Sequence, residues 1–408
     1  MFNTGVVTLP NLDVENVYVF VGDAVRFDKT EDRLVERGKN IKTVASSTHT
    51  PTSFASMFTG HHPTTHGISG FFQQLNDIRS VFDLPEHTVV FDELGSDFHE
   101  WLRSDQALFG VQDQVPLTDL EEPFVAVDRD IGGHAPYPPS LEDPKEGSRY
   151  FERCGDDKSK LERDYDDAIS HWFDRLDNRL QILRDRGIVD DTLVIATSDH
   201  GELLGEYGQI GHDYPAAPEL IWVPTTFIHP TIEPGSIEIG VMRHIDLLPT
   251  ILEALGYERW KTLPGRNLFR NELASYGTSY YNRSINDYFR RINASVADMI
   301  PTRRYEIEAV YDDTGGFSFV RSSYPTRFLV YLFRTLALPN GTYTRGNREY
   351  RAAYRAITQK QQRYGSPSFS TTEAEGLFDD ATDGKYTQQD QIALSEDAVE
   401  NLSDLGYL

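Results

Sequence analysis

The chain has little of several things. Its 408 residues include one cysteine, Cys154, so no internal disulfide can form and a zinc site built from several thiolates is excluded. Lysine is scarce, at 9 against 30 arginines, and the 39 basic residues face 64 acidic ones for a formal charge of −25. So acidic a balance argues against a general nucleic-acid binder, whose partner is a polyanion. It also argues against docking on an anionic membrane. Excess acid with few lysines reads as the solvated surface of a halophilic protein. No run of about 18 uninterrupted apolar residues occurs, so no membrane-spanning helix is expected. The stretch MFNTGVVTLPNLDVENVYVF lacks a basic segment followed by an apolar one. No secretory signal is read there, and a cytoplasmic protein is expected.

What is present is enough for a core: 39% apolar and 25% charged residues. At about 150 residues per domain, two or three units are expected. Asn16–Val21, Phe124–Val127 and Thr192–Thr197 are short apolar runs rich in β-branched residues, suited to strands buried on both faces. Arg163–Arg186 repeats Tyr165, Ile169, Trp172, Phe173, Leu176, Leu180 and Leu183 at helical steps and stops at Gly187. Strands alternating with helices predict an α/β fold with a mostly parallel sheet, whose chemistry gathers beyond the carboxyl ends of the strands. Asp23 and Asp199 stand at such ends. Residues 1–260 are expected to form the catalytic domain, and 261–408 a smaller α+β portion closed by a helix over Ser395–Leu408. Within that portion, Leu268–Met299 is polar and tyrosine-rich, Tyr311–Gly316 reads as a turn and Ser366–Gln391 as a loop or a mobile strip. Arg327–Leu338 suits a buried helix with two snorkelling arginines better than one lying on a membrane surface.

Four segments carry the chemistry: Gly22-Asp23-Ala24-Val25-Arg26-Phe27-Asp28; Thr48–Gly60 (THTPTSFASMFTG) with Pro63 and His66-Gly67; Gly133-His134-Ala135-Pro136-Tyr137; and Ser198–His212 (SDHGELLGEYGQIGH). In this order they resemble the sulfatase family of the alkaline phosphatase superfamily, with Asp199-His200-Gly201-Glu202 the most specific signal. Arg243–Thr250 is similar to the family's strand-then-helix element, and Leu405–Leu408 to a frequent ending. The resemblance is strong over residues 14–256 and slight over 260–395. It implies a three-layer sandwich around a mostly parallel sheet, with a small C-terminal α+β portion.

A divalent metal site rich in oxygen needs carboxylates from separate strands. Asp23 supplies one; Asp199 and His200 add a carboxylate and an imidazole. The family's nucleophile lies ten residues before the glycine of its Thr-Gly pair, which points to Thr50, also a metal ligand, with Thr52 and Ser53 as alternates. The family's Cys-x-Pro-Ser-Arg is here Thr50-Pro51-Thr52-Ser53-Phe54, with the proline one place early and the arginine missing. A threonine does not yield the formylglycine aldehyde, so direct attack by its hydroxyl is expected. Asp23 is followed by Ala24 where sulfatases often pair aspartates. One divalent ion is expected, zinc or manganese ahead of calcium or magnesium. His134 matches a His-x-Pro-Tyr segment that faces substrate, and His212 falls where sulfatases commonly carry lysine. Both are expected to position the ester and move protons. A second ion would have to draw on His212, His134 or His244. His61, His62 and His66 read as structural, Arg26 as a loop anchor, and Glu202 and Glu206 as helix or loop residues, with support of the metal ligands as the alternative.

The expected function is metal-dependent hydrolysis of a phosphate or sulfate ester, phosphate slightly ahead. The alternative is a phosphoryl-group transferase resembling the phosphoethanolamine transferases and acting on a glycan or lipid-linked acceptor. The substrate is a small-molecule or glycan ester.

Overall fold

The computed structural model describes residues 8–71, 73–93, 108–110, 115–137, 150–151, 154, 157–212, 215–286, 303–337, 347–382 and 389. Strands β1 (Asn16–Gly22), β2 (Lys39–Val44), β3 (Thr88–Glu93), β4 (Phe124–Asp130) and β5 (Thr192–Ser198) lead to a short ribbon, β6 (Leu203–Leu204) and β7 (Ile210–Gly211). β8 (Trp222–Ile228) and β9 (Gly235–Arg243) follow. Seven of them form one sheet in the order β3-β4-β1-β5-β8-β2-β9. β8 alone runs against both its neighbours; the other pairings are parallel. The fold is thus an α/β sandwich on a mostly parallel sheet.

β1 is buried along its whole length, and its side chains alternate between two cores. Val17, Val19 and Val21 pack with Phe54, Met57 and Phe58 of helix α1 (Thr50–Thr59). Tyr18 and Phe20 pack with Trp172, Phe173 and Leu176 of α2 (Lys158–Arg186), with Phe20 stacked on Trp172 at 5.7 Å. A strand covered on both faces has no room for polar alternation, and each large apolar side chain buried contributes about 1.5–3 kcal/mol. α2 starts five residues before the expected Arg163, because Asp157 caps it by accepting from the Lys160 amide at 2.9 Å. α3 (Leu247–Ala254) follows β9.

The C-terminal part departs further from expectation. β10 (Gly277–Ser284) lies inside the polar, tyrosine-rich stretch. It pairs antiparallel with β11 (Arg304–Tyr311), followed by β12 (Gly315–Val320) and β13 (Gln361–Gly365). The turn at Tyr311–Gly316 is present, closed by the Asp312 carboxylate accepting from Thr314 and Gly315 amides at 2.8 Å. The expected buried helix over Arg327–Leu338 is instead α4 (Tyr324–Leu332) with a π-turn at Phe333–Ala337, and α4 buries only Thr326 and Val330. After α5 (Asn347–Thr358), the supposed loop contains α6 (Thr371–Thr382). Ser370 and Glu373 form a reciprocal capping pair there, at 2.7 and 3.4 Å, and Ala374 and Phe378 anchor the helix on the small sheet. The expected helix at Ser395–Leu408 lies outside the described residues. The small sheet buttresses the main one near the candidate site: the Tyr280 amide donates to Ser46 O at 2.8 Å, just upstream of Thr50.

Candidate metal centre and nucleophile

Register builds the centre. β1 and β5 run parallel with Gly22 opposite Ser198, so the residues that follow, Asp23 and Asp199-His200, emerge side by side. The two turns are laced together. Ala24 and His200 amides donate to Asp199 Oδ1 at 3.1 and 2.8 Å, and the Val25 amide donates to Ser198 Oγ at 2.8 Å. Ala24 takes a left-handed φ of 57° to make this turn, a conformation unusual for a residue with a Cβ. Gly132, at φ 55°, must be glycine, since a Cβ there would stand 2.4 Å from Asp23 O.

Ligand atoms of Asp23, Asp199 and His200 lie within 4.8 Å of one another, and all three residues are buried. His200 Nδ1–H donates to Gly201 O at 3.0 Å. That leaves the Nε2 lone pair facing Asp199 Oδ2 at 3.4 Å and Asp23 Oδ1 at 3.8 Å. Burial, then the charge of Asp23, pushes the Asp199 carboxyl up. Burial also opposes ionisation of Asp23, but His134, Arg129, His200 and His212 outweigh it and hold that carboxyl well below its usual range. Asp199 Oδ2 is buried and accepts no hydrogen bond. Two adjacent buried carboxylates with one imidazole lone pair are a donor set that fits a divalent cation, which lets both carboxylates ionise together.

Thr50 is the first residue of α1, with His49 extended before it. Its Oγ1 lies 3.1 Å from His200 Nε2. The alternates point elsewhere: Thr52 Oγ1 donates to Ile68 O at 3.1 Å and Ser53 Oγ to Ser47 O at 2.9 Å. The three rings of His200, His212 and His134 follow one another at 4.5 and 5.1 Å between centroids. His134 Nδ1–H donates to Ala135 O at 2.6 Å, and burial lowers its pKa. His212 Nδ1 lies 3.4 Å from Glu202 Oε1. Glu202 is itself buried and thereby pushed up to about 8, with Tyr137 OH donating to its other oxygen at 3.3 Å.

Arg26 clamps the first turn through Asp28 at 2.8 Å and Glu206 at 3.0 Å. His244 is committed to the scaffold: its Nδ1 accepts from the Ser46 amide at 3.1 Å and its Nε2–H donates to Ser198 O at 3.0 Å. It offers no lone pair to a second ion. His62 and His66 are buried on Thr278 and Ser56. Sequence reasoning passed over Arg129. Its guanidinium is buried, donates to Asp23 Oδ2 at 2.5 Å, and lies 5.6 Å from the ring of Phe54, the position at which the motif arginine is missing. The signal was the ending Asp128-Arg129-Asp130 of a buried strand. The flanking carboxylates turn to the other face, where Arg179 and Arg175 of α2 bind them, so the residue between them faces the site.

The comparisons agree with this architecture. A family model for the sulfatases matches residues 71–257, downstream of Asp23 and Thr50. The low-salt glycan biosynthesis sulfotransferase Agl7 of Haloferax volcanii is 30% identical over 423 aligned positions, covering 97% of this chain and 96% of that protein. The chain belongs to the sulfatase family, a family of enzymes within the alkaline phosphatase superfamily. Among solved structures, the phosphonate monoester hydrolase of Agrobacterium radiobacter superposes with a TM-score of 0.57 at 14% identity, over 79% of this chain and 95% of that one. A 2-O GAG sulfatase does so with a TM-score of 0.57 at 15% identity, over 91% of each. At such identities the likeness is one of fold.

Proposed function

We propose that the chain is a metal-dependent hydrolase of phosphate or sulfate esters with Thr50 as its nucleophile. The observation that carries this reading is the Thr50 hydroxyl, 3.1 Å from His200 Nε2 and beside the Asp23/Asp199/His200 cluster. A divalent cation held by Asp23, Asp199 and His200 would lower the pKa of the hydroxyl and offset charge on the ester oxygens. The chain's own groups do the rest. The positive end of the α1 dipole favours an arriving anion. Thr50 Oγ loses its proton to solvent and attacks phosphorus or sulfur in line, and the bond to the ester oxygen breaks. His212, the most exposed of the three stacked histidines at 13% of its side chain, gives that oxygen its proton. His134 orients the ester. Water then attacks the same atom, frees phosphate or sulfate and restores the hydroxyl. A threonine cannot supply the aldehyde route, and resolution by attack at the central atom favours phosphate.

A second reading is transfer of the group to a glycan hydroxyl in place of water, favoured by the end-to-end match to a protein named as a glycan-biosynthesis sulfotransferase. Nitrophenyl phosphate, phosphonate, diester and sulfate, each assayed with zinc, manganese, calcium and magnesium, test the first reading. Thr50→Ala is expected to lower kcat at least about 10³-fold, with loss of the covalent adduct seen on Thr50 by mass spectrometry. Near-normal turnover by metal-loaded Thr50→Ala refutes the mechanism. If an added sugar alcohol raises nitrophenol release but not free sulfate, the second reading holds.

A further inference from the structure

The charge of the chain is unevenly spread. Between residues 314 and 370 there are nine basic residues and one acidic residue, a local balance of +8 inside a chain of −25. This segment includes α4 and α5. On α5, Arg348, Arg351 and Arg355 are exposed, and among the described residues none of them makes an ion pair. Beside them stand the exposed aromatics Tyr324 (50%), Phe328 (37%), Tyr350 (39%) and Tyr354 (36%). Tyr324, Phe328 and Tyr354 form one continuous pad with Tyr331. Tyr324 and Tyr354 share a hydroxyl hydrogen bond of 2.7 Å, Tyr324 stacks on Phe328 at 6.3 Å, and Tyr331 meets Tyr354 edge-on at 5.3 Å. The opposite face of α5 buries Ala353, Ala356 and Ile357. That face also closes over the turn that leads to His212: a Cβ on Gly208 would stand 2.4 Å from Glu349 O.

We infer that the outward face of α4 and α5 is a docking surface for an anionic lipid bilayer, with Tyr324 and Phe328 entering the headgroup layer and Arg348, Arg351 and Arg355 binding lipid phosphates. The inference is independent of the reaction at the metal centre. Charge complementarity selects the partner. The long arginine stems and amphipathic tyrosines are the side chains that settle at a lipid–water boundary. A strand of nucleic acid needs open ring faces to stack on, whereas Tyr324, Phe328, Tyr331 and Tyr354 are paired with one another. A symmetric contact between two copies would set arginine against arginine. The overall acidity that argued against an anionic membrane is an average, and screening confines each charge to about 10 Å at 0.1 M salt, so the local face decides.

Flotation of the full chain with phosphatidylglycerol or phosphatidylcholine vesicles at 0.1 M salt tests this. Binding to the anionic vesicles is expected to be at least about tenfold stronger. Each arginine is worth about fivefold, so Arg348→Gln/Arg351→Gln/Arg355→Gln should weaken it about a hundredfold. Tyr324→Ser/Phe328→Ser should weaken it with the charge unchanged, and circular-dichroism melting controls for folding of both variants. Equal binding to the two vesicle types, no binding to either, or full binding by the folded triple variant overturns the proposal. So does dextran sulfate that binds the arginines and leaves the vesicles unbound, an outcome that makes the face a site for soluble polyanions.

Discussion

The carboxyl ends of the main sheet and the outward face of α4 and α5 use arginine in opposite ways. At the sheet, Arg129, Arg179 and Arg175 each meet an aspartate, namely Asp23, Asp128 and Asp130. On α5, Arg348, Arg351 and Arg355 stand in solvent. A buried cation without its carboxylate is costly, so burial dictates partner and direction together. That is how a side chain on β4 comes to hold the carboxylate at the end of β1. An exposed arginine is worth little to the fold whatever it touches, and its position is left to other demands.

Three measurements break or sharpen this contrast, in falling order of effect. Arg129→Met leaves Asp23 buried without its cation, and a loss of about 3 kcal/mol in urea-derived stability is expected, partly recovered by Arg129→Lys. A wild-type midpoint would show that the pair does not hold the turn. Next comes acid sensitivity. Burial lowers His66 to about 3, and its ring is locked neutral, accepting from the Ile68 amide at Nδ1 and bonded to Ser56 through Nε2. The folded pKa lies below the unfolded value of about 6.5, so this contribution is complete above that value and is lost as pH falls toward 3. Between pH 7 and 5 the wild type should lose about 2 kcal/mol more than His66→Gln; parallel stability curves would exclude it. Smallest is Ser370→Ala, which removes half of the capping pair of α6 and should cost about 1 kcal/mol in thermal melts. No change would mean that Ala374 and Phe378 suffice to hold that helix.

The ends of β1 and β5 were legible because each lies where an apolar run stops at Asp, and Thr50 was picked out by its resemblance to the sulfatase spacing before Gly60. The placement of Asp23, Asp199 and His200 around one point then follows from the parallel register of β1 and β5, whereas Thr50 reaches it from α1. Arg129 was not legible, since a charge inside a strand reads as a surface residue until the strand proves covered on both sides. α6 was hidden for a related reason: its anchors are Ala374 and Phe378 amid polar neighbours, and no short-range period marks them. The apolar Arg327–Leu338 stretch erred the other way, because hydrophobicity says that a face needs cover and not whether anything covers it.

The sequence by itself determined the α/β class, because strand and helix periods are local properties, and its motifs marked the segments that bear the candidate site residues. Only the tertiary structure decided which hydroxyl meets the cluster, that His244 belongs to the scaffold, that Arg129 stands beside Phe54, and that α4 is left half open. Each of these depends on which elements lie side by side, and burial by a distant neighbour is what makes a charge or a ring either a fixed part of the interior or a surface free to bind.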